Sequence, residues 1–150
     1  MNAFELLKED HKKVSGLFEK LEPTTENAVK TREELFERLN TELEIHARIE
    51  EKIFYPVLKR EAETRDITME GFEEHKIVKR LLEEMAALPV TSEEWTAKLK
   101  VLKENVEHHV EEEEGEMFKS AREVLSEEQV EELGTRMEAE KKQLAAAAGG

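Results

Sequence analysis

A repeated set of histidines and glutamates constrains the fold of this chain more than any other feature. Six residues form the repeat, three from each half of the chain: His11, His46, Glu50, His75, His109, Glu113. Corresponding members are 63 or 64 residues apart, so each half contributes one lone histidine and one His-x-x-x-Glu pair. The flanking sequences also match, since HKKVSGLFEKL resembles HKIVKRLLEEM. The chain is therefore predicted to be internally duplicated.

Each of these histidines lies on an apolar stripe of helical period. Leu7, His11 and Val14 belong to one such stripe, with neighbours three or four residues apart. The stripes predict helices over about residues 2–22, 28–63 and 67–88, with Asn2 as a plausible N-cap of the first. A fourth opens at Ser92, and a capping box from Ser126 to Gln129 opens a short fifth helix. The predicted class is all-α.

Short connections between long helices predict an up-down-up-down four-helix bundle over residues 1–125, followed by a C-terminal helix and tail over 126–150. Counting along the second hairpin places His75 and His109 at similar depth. The first hairpin requires either a longer loop or an overhanging second helix, and the sequence leaves this open. Pro56 lacks an N–H to bond the carbonyl of Lys52, which predicts a kink or an early end of the second helix.

Composition excludes several classes of function. The formal net charge of −14 repels nucleic acid phosphates and anionic membranes, so neither is an expected partner. No apolar run approaches the ~20 residues that cross a bilayer, and the N-terminus lacks a secretory signal, which together predict a cytoplasmic protein. With no cysteine, any metal must be held by nitrogen and oxygen ligands.

The repeated residues have the chemistry of metal ligands. Residues four apart share one face of a helix, so a His-x-x-x-Glu pair can offer an imidazole and a carboxylate to one centre. Two such pairs and two lone histidines supply four nitrogens and two carboxylates able to bridge. This set suits iron, manganese or zinc better than calcium or magnesium, and it can hold two metals about 3.5–4 Å apart.

The segments DHKKV, HARIEEKIFYP, EEHKIV and HHVEEEEGEMF resemble the four ligand segments of the hemerythrin-like, or HHE cation-binding, domain. The resemblance covers roughly residues 2 to 120. It implies a non-haem diiron centre with an oxo or hydroxo bridge, in which the six repeated residues are the ligands and manganese or zinc are alternatives to iron. It also implies reaction with, or binding of, O₂, peroxide or nitric oxide.

Two departures from the oxygen-carrying hemerythrins bear on the choice of activity. Lys79 stands where those carriers have a further histidine, and both ligand pairs here are His-x-x-x-Glu rather than including His-x-x-x-x-Asp. Fewer imidazoles leave the metals unsaturated. We therefore rank reversible O₂ carriage below redox reaction or sensing. The first hypothesis is a peroxide- or nitric-oxide-consuming oxidoreductase, and the alternative is a module that binds O₂ reversibly or senses oxygen or iron without turnover. A third hypothesis, an acidic bundle that binds a protein partner, predicts no stoichiometric metal.

Other readings of these residues are open. His108 with Glu112 is an alternative ligand pair, although the repeat favours His109 with Glu113, and His108 is expected at the surface or beside the ligands. Glu51 and Glu114 also repeat: Glu114 is the next candidate ligand if the helix is locally distorted, and Glu51 could lie beside the ligands, but a surface position is favoured. A role in gating or tuning the site is open for Tyr55, Lys79 and Trp95, but packing or snorkelling at the bundle edge is favoured for each. No Glu precedes a histidine by three residues, which excludes the ferritin-like arrangement, and no hydrolase or phosphate-loop motif is present.

Overall fold

The computed structural model describes residues 1–149, and over this range the chain forms helices joined by short connections. The elements, in chain order, are α1 (Ala3–Leu21), α2 (Val29–Ile49), π1 (Glu50–Phe54), α3 (Tyr55–Arg60), α4 (Ala62–Ala86), α5 (Glu93–Glu112), π2 (Glu113–Met117), α6 (Phe118–Val124) and α7 (Glu127–Gly149). The predicted all-α bundle with a fifth helix is confirmed. None of the helices in the described range is long and apolar enough to span a bilayer.

The helices begin where the sequence provides caps. Asn2 accepts from the N–H of Glu5, whose side chain in turn accepts from the N–H of Asn2, forming a capping box for α1. Ser92 caps α5. The predicted box at Ser126 is also present, with reciprocal hydrogen bonds to Gln129. The sequence therefore predicted these three helix starts correctly.

The four-helix bundle is built of four helical rods, and two of these rods contain a short π-helix in the middle. Elements α2, π1 and α3 form one continuous rod, and α5, π2 and α6 form another. The N–H of Tyr55 bonds the carbonyl of Glu50, and that of Phe118 bonds the carbonyl of Glu113, both five residues back. The rod continues past Pro56 to Arg60, so the irregularity predicted there takes the form of a π turn. The second π turn, π2, forms although its sequence contains no proline. A π turn is therefore a feature of both halves of the chain.

Two apolar clusters enclose the middle of the bundle. One contains Phe4, Phe54 and Phe118, and the other contains Leu39, Trp95 and Leu102. The repeated histidines lie in the layer between them, as His11 does between Leu7 and Val14. A seven-residue connection, 22–28, closes the first hairpin, and Arg32 ties the start of α2 to it through the carbonyl of Thr24 (2.9 Å).

The fifth helix is longer than the short helix expected from sequence. Helix α7 covers 23 residues and buries Val130, Leu133 and Met137, the three apolar residues of the predicted stripe. It packs against α1, α2 and π1, and its apolar residues join the cluster that contains Phe4. The end of α6 at Val124 and the start of α7 at Glu127 lie on either side of the predicted domain boundary, which stays a prediction. Gly150 lies outside the described residues.

Candidate metal centre

The structure brings the six repeated residues together in one buried layer. Each histidine side chain is between 6% and 8% exposed, and both glutamate side chains are 0% exposed. Four rods contribute, with His11 on α1 and His75 on α4 supplying the lone imidazoles. Burial of two carboxylates among four imidazoles is costly unless their charge is balanced, so this layer is not explained by packing alone.

The donor atoms form two groups that cross the two halves of the chain. His11 and His46 from the first half meet Glu113 from the second, and the converse group joins Glu50 to His75 and His109. Within each group the donor atoms lie within 4.8 Å of one another. The two groups have nearly the same ring geometry, since both histidine pairs have centroids 4.9 Å apart, at 65° and 62°. The sequence repeat is therefore a structural pseudo-symmetry of the site.

Both glutamates extend across the two groups. Oε1 of Glu113 lies 3.0 Å from Nε2 of His11, and Oε2 of the same residue lies 3.3 Å from Nε2 of His109. Oε1 of Glu50 is 3.2 Å from Nε2 of His46 and 3.0 Å from Nε2 of His75. Each carboxylate therefore faces one imidazole of each group, which is the position of a bridging ligand.

Unsatisfied polar atoms indicate that these residues fit a pair of cations. Four atoms of the layer are buried without a hydrogen-bond partner in the described range: Nε2 of His11, Nε2 of His46, Oε2 of Glu50, Oε1 of Glu113. Nε2 of His11 approaches Oε1 of Glu113 to 3.0 Å, but without the geometry of a hydrogen bond. Buried polar atoms are rarely left unpaired, and a nitrogen and oxygen donor set of this kind suits a transition metal.

Each imidazole is oriented by a further carboxylate at Nδ1. The four donor–acceptor pairs are His46 to Asp10 at 3.0 Å, His11 to Glu114 at 2.6 Å, His75 to Glu51 at 2.7 Å, and His109 to Glu74 at 2.5 Å. A carboxylate can only accept here, so Nδ1 carries the proton and Nε2 faces the centre. This arrangement fixes the tautomer and is typical of histidines that bind metal.

These outer carboxylates were only partly expected from sequence. The sequence favoured the surface for Glu51 and left a place beside the ligands open, and both hold, because Glu51 is 42% exposed and accepts a hydrogen bond from a buried imidazole. Glu114, its counterpart in the repeat, is half-buried and accepts from His11. Asp10 and Glu74 were missed. The signal was available, since each directly precedes a repeated histidine and they are 64 residues apart. Each of these two bonds an imidazole on the neighbouring rod, a relationship that helical period cannot show.

Tyr55 is a further residue of the centre: it packs in the apolar cluster, as favoured from sequence, and its hydroxyl also reaches the buried layer. It is fully buried, and its hydroxyl donates to Oε2 of Glu113 at 2.5 Å. The oxygen is 3.4 Å from Nε2 of His75 and 3.3 Å from Nε2 of His109. Five residues of regular α-helix would turn Tyr55 about 140° away from Glu50. The π turn brings both onto one face, which a helical-period analysis does not anticipate.

The charges of the layer shift several pKa values. Burial by itself lowers the pKa of His109, but hydrogen bonds to Glu113 and Glu74 raise it to about 10. Burial also opposes protonation of His46 and His75, yet the neighbouring carboxylates raise the pKa of both imidazoles. Burial and the adjacent carboxylates raise the pKa of Tyr55 well above its ordinary value. Without metal, the buried carboxylates therefore favour protonated His46, His75 and His109.

A cavity of about 500 Å³ leads to the histidine side of the layer. Its walls are largely apolar and include Leu43, Leu82 and Val106. Arg48 and Lys79, both exposed, line the same cavity. A small molecule can therefore reach the four imidazoles through this cavity between the rods.

The positions of His108 and Trp95 agree with what the sequence predicts. His108 is 68% exposed and lies 3.2 Å from Glu112, outside the buried layer. Trp95 is fully buried, packs edge-on against Phe36, and belongs to the apolar cluster beyond the layer. The register that pairs His109 with Glu113 is therefore the inward one.

Fold and site together define a helical bundle with an internal histidine and carboxylate centre for cations. The chain belongs to the hemerythrin HHE cation-binding domain family, whose model matches residues 2–121. The predicted family is thereby confirmed.

Individual relatives support the assignment. The chain is 33% identical over 148 residues to uncharacterized protein Rv2633c of Mycobacterium tuberculosis, covering 96% of this chain and 88% of that one. It is 32% identical over 150 residues to a DNA nickase of Nostoc, covering all of this chain and 42% of the relative's length. The crystal structure of an HHE domain protein from Mycobacterium kansasii, an Rv2633c homolog, superposes with a TM-score of 0.86 at 31% identity, over 98% of this chain and 89% of that one.

Proposed function

We propose that this chain binds two iron ions between His11, His46, Glu50, His75, His109 and Glu113, and that it reacts with O₂, peroxide or nitric oxide there. The observation that supports the proposal is the pair of buried carboxylates that each face imidazoles of both groups. A packing role does not account for four buried polar atoms left without partners. Manganese or zinc would fit the same donors.

Bound iron would supply the electrons and the Lewis acidity for reaction with a small oxidant. The chain's own residues have three tasks. The outer carboxylates hold Nδ1–H of each imidazole, so that Nε2 is the free ligand atom. The bridging carboxylates balance the charge of two cations. Tyr55 holds a proton at its hydroxyl within hydrogen-bond distance of Glu113, where it can be donated to a molecule bound in the centre.

The cavity supports reaction with a small molecule. Its volume of about 500 Å³ admits a molecule as small as O₂, peroxide or nitric oxide, and Leu43, Leu82 and Val106 give it an apolar wall next to the imidazoles. We infer turnover rather than reversible binding because the protein supplies only four imidazoles and two carboxylates for two metals, which leaves coordination positions unfilled. Reversible O₂ binding or sensing without turnover is the alternative. The cytoplasmic location stays a prediction.

A DNA-cleaving activity is a second candidate because one relative is named a DNA nickase. The chain spans less than half of that relative's length, so the activity can reside outside the shared region. The net charge of −14 also opposes contact with a phosphate backbone. We therefore place it below the iron chemistry. Conversion of supercoiled plasmid to open circles by the purified iron-loaded protein would support it.

Anaerobic loading with ferrous iron, followed by addition of hydrogen peroxide or O₂, tests the main proposal. Two iron equivalents per chain and rapid peroxide consumption are expected. A His46→Ala variant should lose both properties, whereas His108→Ala, which alters an exposed neighbour of the site, should keep them. A reversible spectral change on O₂ exposure without consumption of peroxide would favour the alternative. Absence of stoichiometric metal would contradict both.

A further inference from the structure

A lysine from the fifth helix reaches the buried layer. Lys141 lies on α7, outside the residues matched by the family model, and its ammonium group donates to Oδ1 of Asp10. The other oxygen of Asp10 accepts from Nδ1 of His46 at 3.0 Å. Asp10 is 2% exposed, and the Lys141 side chain is 24% exposed. The three side chains therefore form a chain of contacts from the protein surface to an imidazole of the centre.

Both oxygens of Asp10 are thereby fixed. A buried carboxylate whose partner is removed is left with an uncompensated charge, and it then rotates or recruits water. If Oδ1 lost the ammonium, Oδ2 would no longer be held against His46. Lys141 therefore orients the carboxylate that orients the imidazole.

The packing of α7 fixes where Lys141 lies. A Cβ atom on Gly134 would overlap the backbone of Met1 to Ala3, so α7 approaches the start of α1 as closely as a glycine allows. Lys141 follows seven residues later, two turns along the same face. Glu140, the residue before Lys141, accepts from Lys52 of π1 at 2.9 Å. The contacts of Gly134 and Glu140 therefore fix the position of α7 near Lys141.

The pseudo-symmetry of the centre is broken at this contact. Glu74, the counterpart of Asp10, orients His109 but lies close to His108 and Glu112 instead of an ammonium group. The lysine therefore acts on one of the two groups only, the one made of His11, His46 and Glu113.

We propose that Lys141 is a positioning residue of the metal centre, through which the fifth helix holds Asp10 and His46 and sets the properties of one metal position but not the other. This proposal rests on the proposed function, because it assumes that the six residues bind two metals. Removal of the ammonium should weaken the position beside His46 and leave the position beside His109 unchanged.

The test compares Lys141→Met with Lys142→Met, which removes a charge from the adjacent, exposed residue. Both apo proteins should remain folded by circular dichroism. Titration with cobalt(II), followed by its visible absorption, should give two equivalents of similar affinity for wild type and Lys142→Met. In Lys141→Met one equivalent should weaken about 10- to 100-fold, the range seen when a partner of a metal-binding residue is removed. Lys141→Arg should recover most of the loss.

A double-mutant comparison separates positioning from general destabilisation. Lys141→Met should have little further effect in an Asp10→Asn background, but its full effect in a Glu74→Gln background, because only Asp10 shares its contact. Equal weakening of both metal positions, unchanged affinity, or full additivity with Asp10→Asn would each overturn the proposal.

A metal-free measurement keeps this proposal distinct from the proposed function. In the apo protein, the Nδ1 proton of His46 should exchange with solvent faster in Lys141→Met than in Lys142→Met, as seen by ¹⁵N NMR. If wild type bound no metal, the proposed function would fail, while the exchange result would still test whether Lys141 holds His46 through Asp10. Equal exchange rates in the two variants would overturn that link.

Discussion

Tyr55 and Phe118 are equivalent residues of the two halves, and only Tyr55 places an oxygen in the buried layer. They are 63 residues apart, each directly follows a π turn, and both are fully buried. The Tyr55 ring stacks on His75 at 5.2 Å and 17°, whereas Phe118 packs against Phe4 in the apolar cluster. Both halves therefore contain a π turn, but the residue that follows it is a tyrosine in one half and a phenylalanine in the other.

Tyr55→Phe tests the role of this hydroxyl. We expect apo stability to fall by about 1–3 kcal/mol, because buried Glu113 loses a hydrogen-bond donor. Peroxide consumption by the iron-loaded protein should fall by roughly 10²-fold if the hydroxyl donates a proton, while two iron equivalents remain. Urea unfolding and a peroxide electrode measure the two effects. An unchanged rate would contradict the role of Tyr55 as proton donor.

Gly71→Ala should disturb the same tyrosine from the other side. A Cβ on Gly71 would lie 3.0 Å from the Tyr55 hydroxyl and 3.1 Å from its ring, and the hydrogen bond to Glu113 prevents the ring from moving aside. Overpacking should cost about 1–3 kcal/mol, which outweighs the gain of up to ~1 kcal/mol that alanine gives a helix.

Gly16→Ala is the matched control for Gly71→Ala. A Cβ at Gly16, also inside a helix, would meet nothing within 4 Å, so that substitution should stabilise the protein. Thermal unfolding of both variants measures the difference. Equal melting temperatures would show that Tyr55 is not tightly held.

The outer carboxylates should control metal affinity without being ligands. Glu51→Gln and Glu114→Gln remove the negative acceptors for Nδ1 of His75 and His11, and each should weaken metal binding about 10- to 100-fold. Glu111→Gln makes the same chemical change at an exposed position nearby and should have no effect. Competition with a chelator measures the affinities. A surface role for Glu51 and Glu114 would leave all three variants like wild type.

Metal uptake should release protons. The pKa values of His46, His75 and His109 are raised in the apo protein by the neighbouring carboxylates, to about 10 for His109, so His109 is protonated at pH 7.5 and the other two imidazoles hold a proton more readily than a free one. A metal binds only the neutral nitrogen, so each imidazole must lose its proton and affinity should fall as pH decreases. Calorimetric titration in buffers of different ionisation enthalpy measures the release. A binding enthalpy independent of buffer would contradict this protonation state.

The same pKa values fix the sign of the apo protein's pH dependence. An imidazole whose pKa is raised on folding contributes stability in full below its unfolded pKa of ~6.5, and that contribution is lost as pH rises through the folded value. The apo protein should therefore lose stability between about pH 6.5 and 10. Metal should remove this dependence, because it takes the place of the Nε2 proton whose loss destabilises the apo protein. Urea unfolding with and without metal checks both statements.

Sequence predicted the fold and the composition of the inner layer because both follow helical period. Apolar stripes identified the helices, caps at Asn2, Ser92 and Ser126 identified three starts, and the 63-residue interval identified which histidines and glutamates face inward. The bundle then required these residues to meet at one depth. Local pattern and global fold agree at these positions, and prediction succeeded there.

Sequence did not predict the roles of residues that follow a departure from α-helical geometry, or of residues whose contacts join two different rods. Tyr55 faces the centre only because π1 adds a residue to one turn, and nothing in its local pattern shows this. Asp10 and Lys141 meet across 131 residues of chain, and their contact depends on how α7 lies against α1. Such contacts become visible only when the rods are placed in space.

The central claim is that two cations bind between the two groups of donors. Crystals of the iron-loaded protein, measured with X-rays on either side of the iron absorption edge, test this most directly. The account predicts two anomalous peaks about 3.5–4 Å apart, one beside His11 and His46 and the other beside His75 and His109, with Glu50 and Glu113 between them. A single peak, or peaks confined to the exposed carboxylates around His108, would contradict it.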